Sequence, residues 1–89
     1  MIYGIYCMRD RKVGWLAPQL DRDDNCAIRT FAMTMNNAPS DSLIGFAPKD
    51  FDLYYMGKFD SEKGTFDTEV PEFLVSGDMV LGDNYEKEI

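Results

Sequence analysis

At 89 residues the chain has room for one domain, and a domain this small buries only roughly 60–65% of the surface its unfolded form exposes. An apolar content of 45% excludes intrinsic disorder, and no apolar run approaches the ~20 residues of a membrane span. The net charge of −7 argues against non-specific polyanion binding, and the lack of histidine removes both the commonest zinc ligand and the commonest general base.

Residues 2–8, IYGIYCM, read as a first strand with Tyr3, Ile5 and Cys7 on one face. Arg9, Asp10, Arg11 and Lys12 form a charged turn. Residues 13–16 are a second extended piece, which Pro18 confines to an edge or an irregular end. A helix over residues 24–36 follows. Asp23 or Asp24 is its N-cap, and Ile28, Phe31, Ala32 and Met35 recur at i, i+3, i+4, i+7. Asn36, Asn37 and Pro39 stop it.

Residues 38–50 are rich in proline, glycine and serine and read as a loop, pinned to the body by Leu43, Ile44 and Phe46. Its length suits a functional segment. Residues 51–60 then alternate, with Phe51, Leu53, Tyr55 and Phe59 on one face and Asp52, Tyr54, Met56, Lys58 and Asp60 on the other. Ser61 to Gly64 is a turn with Gly64 at a left-handed position, and a return strand starts at Thr65. Residues 83–89 form an acidic tail expected to fray. The fold class is therefore α+β: a small antiparallel sheet of about four short strands and one covering helix, in the order β-β-α-loop-β-β, within residues 1–82.

Little in the chain carries chemistry. No phosphate-binding loop, zinc-protease or nucleophile-elbow motif occurs. Asp21, Asp23 and Asp24 could hold a cation, but helix capping explains them better, because the rest of a calcium loop is missing. Asp50 with Asp52, or Glu69 with Glu72, could pair for acid–base work, yet no apolar pocket is evident to shift a pKa. Cys7 and Cys26 read as free thiols, one in a strand and one in the helix, and Cys7 has no histidine to activate it. The chain is expected to be no enzyme and to need no cofactor or metal.

The charge is uneven. Residues 1–40 hold Arg9, Arg11, Lys12, Arg22 and Arg29 against four acids, whereas residues 41–89 hold four lysines against twelve acids. An anion would have to approach the first part. Phosphates favour arginine and lysine, and unpaired bases favour an aromatic plane, so Trp15 beside the basic turn makes a minimal stacking site. The bland alternative is a solvated turn with Trp15 in the core. Tyr54, beside Met56 and Lys58, is a second aromatic candidate; a dimer contact, a stacking residue and a second core layer all remain open to it. A small core also favours a partner subunit, which predicts a homodimer.

The order of segments resembles a known family. The opening YGIYCMRDR, then CAIRTFAMTMNN, then FAPKDFDLYYMGKFDSEKGTFD are similar to the small nonstructural protein of gokushovirus-type microviruses, the phage open-reading-frame-five family. The resembling pieces are Ala27-Ile28-Arg29-Thr30-Phe31, Pro48 to Leu53, and Met56 to Asp60 with Gly64-Thr65-Phe66. Together they cover roughly residues 3–75. The resemblance implies a bacteriophage protein outside the mature capsid, tied to single-stranded DNA replication or packaging in the cytoplasm of the bacterial host cell. It points to Arg29 as a phosphate contact and supplies no catalytic residue.

The expected nucleic-acid-binding set is Arg9, Arg11, Lys12, Trp15, Arg22, Arg29, Tyr54 and Lys58. The competing expectation is an acidic protein-interaction module that docks a basic capsid or host replication protein. No membrane partner is expected.

Overall fold

The structure is a computed structural model that describes residues 1–82; the expected frayed tail, residues 83–89, lies outside the described residues. Strand β1 (Ile2–Asp10) runs through the middle of an antiparallel sheet. Two fragments, β2 (Gly14–Trp15) and β3 (Gln19–Asp21), flank one side of it. On the other side lies β4 (Phe51–Asp60), which in turn carries β5 (Thr65–Ser76). The fragments are one edge strand broken at residues 16–18, where Pro18 has no N–H for the ladder.

The expected α+β class and element order hold, with the second strand split in two. The first strand runs two residues beyond the expected 2–8, β4 spans the expected residues 51–60, and β5 continues from Thr65 for 12 residues. Arg9 and Asp10 belong to β1, so the turn is narrowed to residues 11–13.

Helix α1 (Asp24–Asn37) starts where the capping signal places it. Asp23 is the N-cap, and its carboxylate accepts from the Cys26 amide at 2.8 Å. Ala27, Phe31, Ala32 and Met35 are buried against Tyr6, Phe51, Leu53, Val75 and Val80, and Ile28 packs at the margin. Burying such side chains stabilises by about 1.5–3 kcal/mol for each large one, so this single layer of contact is the main cohesive element.

The loop before β4 holds a one-turn helix, α2 (Leu43–Phe46), capped by the Ser42 hydroxyl, and a 3-10 turn, Pro48–Asp50. Of its three expected anchors only Ile44 packs on the core. Phe46 is 81% exposed, because one turn of helix can send few side chains inward.

One irregularity in β4 decides what the sheet presents. Ile5 pairs with Gly57 and Tyr6 with Tyr55, which leaves Met56 as an extra residue. Gly57 takes φ 136°, and a Cβ there would lie 2.8 Å from the Thr68 Cα. An inserted residue turns every later side chain to the opposite face. Phe51, Leu53 and Tyr55 therefore face the helix as expected, but Phe59 does not. It is turned to the helix-free face, opposite Tyr3, while Lys58 is turned away from Tyr54 to the helix side opposite Gly4. The expected turn holds its form: Gly64 has φ 68°, and the Asp60 carboxylate accepts from the Glu62 and Lys63 amides.

Candidate nucleic-acid interface

The helix covers one face of the sheet. The odd-numbered residues of β1 point to the other, and their cross-strand partners follow from the register. Trp15 pairs with Arg9, Tyr54 with Cys7, and Phe73 with Tyr54. Three strands thus bring three aromatics into one row. The Trp15 and Tyr54 ring centroids are 4.8 Å apart at 67°, and those of Tyr54 and Phe73 are 5.8 Å apart at 79°. Edge-to-face packing holds such a row in place. Trp15 remains 46% exposed and Phe73 48% exposed, so the row borders solvent. The alternative of a core tryptophan is excluded by this placement.

Arg9 completes the row. Its guanidinium lies 5.5 Å from the centre of the Trp15 ring, within cation–π range. Beneath the row, the buried Cys7 thiol donates to the Leu16 carbonyl at 3.0 Å, and burial pushes its pKa up. A thiol so held is a packing group. A second aromatic pair, Phe59 and Phe66, lies on the same face toward the hairpin tip, with centroids 4.7 Å apart.

The expected cluster of five cations does not form. Arg11 lies past the end of β1 and folds back onto Asp52, donating from Nε and Nη2 at 2.9 Å each. Its pKa is raised, chiefly by those hydrogen bonds. Lys12 stands 3.6 Å from Asp50. Arg22 is exposed at the junction of β3 and α1, and Arg29 is exposed on α1, away from the aromatic row. Lys58 is removed from the row by the Met56 bulge. Of the eight expected residues, Arg9, Trp15 and Tyr54 are brought together, with Arg11 close by through Asp52 opposite Arg9. Phe73, Phe59, Phe66 and Tyr3 were not foreseen. Their sequence signal is alternation, which the bulge conceals.

The carboxylates sort to other places. Asp52 is the acid that the register places on the helix-free face, and Arg11 neutralises it. Asp24, Asp67, Glu69 and Glu72 gather near Tyr55 on the helix side, where burial first and then these charges raise the Tyr55 pKa. Asp21, Asp23 and Asp24 are each engaged, accepting from the Arg22 amide, the Cys26 amide and the Tyr6 hydroxyl respectively. Of these only the Asp23 contact is a helix cap; Asp24 ties the first turn of the helix to β1. Among the described residues, no helix is long and apolar enough to cross a membrane.

The comparisons agree with the resemblance drawn from segment order. The family model described as Phage ORF5 protein matches residues 3–80. "Protein ORF5" of Chlamydia phage 1 is 30% identical over 89 residues, covering 97% of this chain and 93% of that protein. No solved structure matches. With that coverage and that family model, the chain belongs to the phage ORF5 protein family.

Proposed function

We propose that this protein is a non-catalytic accessory factor that binds single-stranded DNA during phage genome replication or packaging in the host cytoplasm. The observation that carries the reading is the Trp15–Tyr54–Phe73 row with Arg9 over Trp15, beside a carboxylate, Asp52, that is already paired. Unstacked bases bind such platforms through their π-faces, and the cation sits where the phosphate backbone would pass. Among the described residues, Asp24, Asp67 and Glu72 lie toward Tyr55 on the helix side and not at the row, which lowers the local repulsion an approaching phosphate meets.

Trp15 fluorescence tests this directly. Oligothymidylate should quench it, and the Trp15→Ala and Tyr54→Ala variants should each lose about tenfold in affinity, read by anisotropy of a labelled strand. Unchanged fluorescence at low salt with a folded protein would remove the proposal. A second reading has one observation in its favour, the carboxylates around Tyr55. It makes that acidic side a dock for a basic capsid or replication protein. It predicts salt-sensitive capture of such a protein with no response to oligonucleotide.

A further inference from the structure

We infer that the helix-free face is a bipartite site for one nucleic-acid strand, in which Phe59 and Phe66 form a second stacking position separate from the Trp15 row. The inference rests on the proposed function and specifies how the strand is held.

Phe66 is 65% exposed and lies outside the buried core cluster, so packing under the helix does not explain it. It stacks obliquely on Phe59, which the Met56 bulge has turned to the same face as Tyr54. Without that extra residue the pair would stand on the opposite side. Tyr54 and Phe59 are five positions apart on β4, which at ~3.3 Å per residue, less the bulge, puts the two positions about 13–16 Å apart. That is wider than any single base. The ground between them is formed by Ile5, Gly57 and Thr68, none of them charged, and Gly57 adds no side chain that would stand in the way.

The geometry selects the ligand. Two separated stacking positions require two bases splayed from one flexible strand, which a duplex cannot supply without unstacking. It also predicts how affinity is divided. Arg9 is the one cation at the row without an ion-pair partner among the described residues, so stacking should outweigh phosphate contact. The slope of log K against log salt should then be near −0.7, the value for one phosphate contact on a single strand.

The test compares a thymidine dinucleotide with an oligothymidylate of about a dozen residues, both read by Trp15 quenching on the full chain. Phe66→Leu keeps apolar packing against Phe59 but removes the π-face, and circular dichroism confirms its fold. Phe66→Leu should weaken the long strand about tenfold and leave the dinucleotide response at Trp15 unchanged. Equal loss for both ligands, or no loss for either, overturns the second position while the Trp15 row stands. If neither ligand quenches the folded parent protein, both the inference and the proposed function fall, whatever its mass in solution.

Discussion

Arg11 grips Asp52 through two hydrogen bonds of 2.9 Å each, one from Nε and one from Nη2, and this fork ties the β1–β2 turn to the start of β4. The two partners differ in environment. The Asp52 side chain is only 6% exposed, whereas that of Arg11 is half exposed. Removing either breaks the same bonds, but the group left behind differs. Asp52→Ala leaves a guanidinium that water can reach, and should cost about 1–2 kcal/mol. Arg11→Ala leaves a buried carboxylate without its partner and should destabilise more. Urea denaturation of both variants checks the order. Equal loss would mean that Asp52 is solvated despite its burial.

Stability should fall at both ends of the pH scale, for different reasons. The Cys26 amide, foremost, holds the Asp23 carboxyl below its ordinary range, and the Ser76 hydroxyl does the same for Asp78. A carboxyl depressed on folding stabilises above its unfolded pKa, and that contribution is lost as pH falls through the folded value. Thermal midpoints should therefore drop below about pH 4. The Tyr6 phenol is shifted the other way, first by burial and then by its 2.7 Å hydrogen bond to Asp24. A raised group stabilises below its unfolded pKa, so that contribution should fade above about pH 10. Asp23→Asn, which keeps a cap acceptor, should soften the acid limb. Tyr6→Phe should soften the alkaline limb and cost about 1–2 kcal/mol at neutral pH. Unaltered limbs in both variants would contradict this assignment.

Gly57→Ala should be among the most damaging small substitutions in the sheet. Its φ of 136° is strained for any residue with a Cβ, and that Cβ would meet the β5 backbone at Thr68. A loss of about 2–3 kcal/mol is expected by denaturation. A neutral result would show that the bulge can be rebuilt without a left-handed residue.

That bulge also marks where sequence reading stopped. The helix was legible because cap, stripe and stop agree: Asp23, then Phe31, Ala32 and Met35, then Asn37. Alternation through Phe51, Leu53 and Tyr55 was equally plain. Gly57 is a local hint, since a glycine inside a strand often marks a bulge, but it does not by itself show that Met56 is the inserted residue, because the pairing of Ile5 with Gly57 is a property of two distant segments. Extending the period of two past it put Phe59 and Lys58 on the wrong faces, and with them half of the aromatic surface. The cations separate for a similar reason. Adjacency in the chain suggested that Arg9, Arg11 and Lys12 act together, but β1 continues to Asp10, and only Arg9 stays in the plane of the row. Trp15 and Tyr54 are singled out by residue type alone, and it is the register that sets their rings 4.8 Å apart on one face.

Arg9→Gln isolates the electrostatic part of the proposed site. The variant keeps an amide able to lie over Trp15 but removes the charge 5.5 Å from the ring. If the aromatic row carries the binding, affinity for oligothymidylate should fall only about threefold to tenfold, and the salt dependence should flatten toward zero. Stability should change little, because Arg9 is exposed and makes no ion pair among the described residues. Titrations at two salt concentrations, run beside Asp52→Ala, give the complementary result. Freeing Arg11 from its carboxylate should steepen the slope by about 0.7. Should Arg9→Gln abolish binding outright, phosphate contact rather than base stacking would supply most of the affinity, and the aromatic row would be secondary to its one cation.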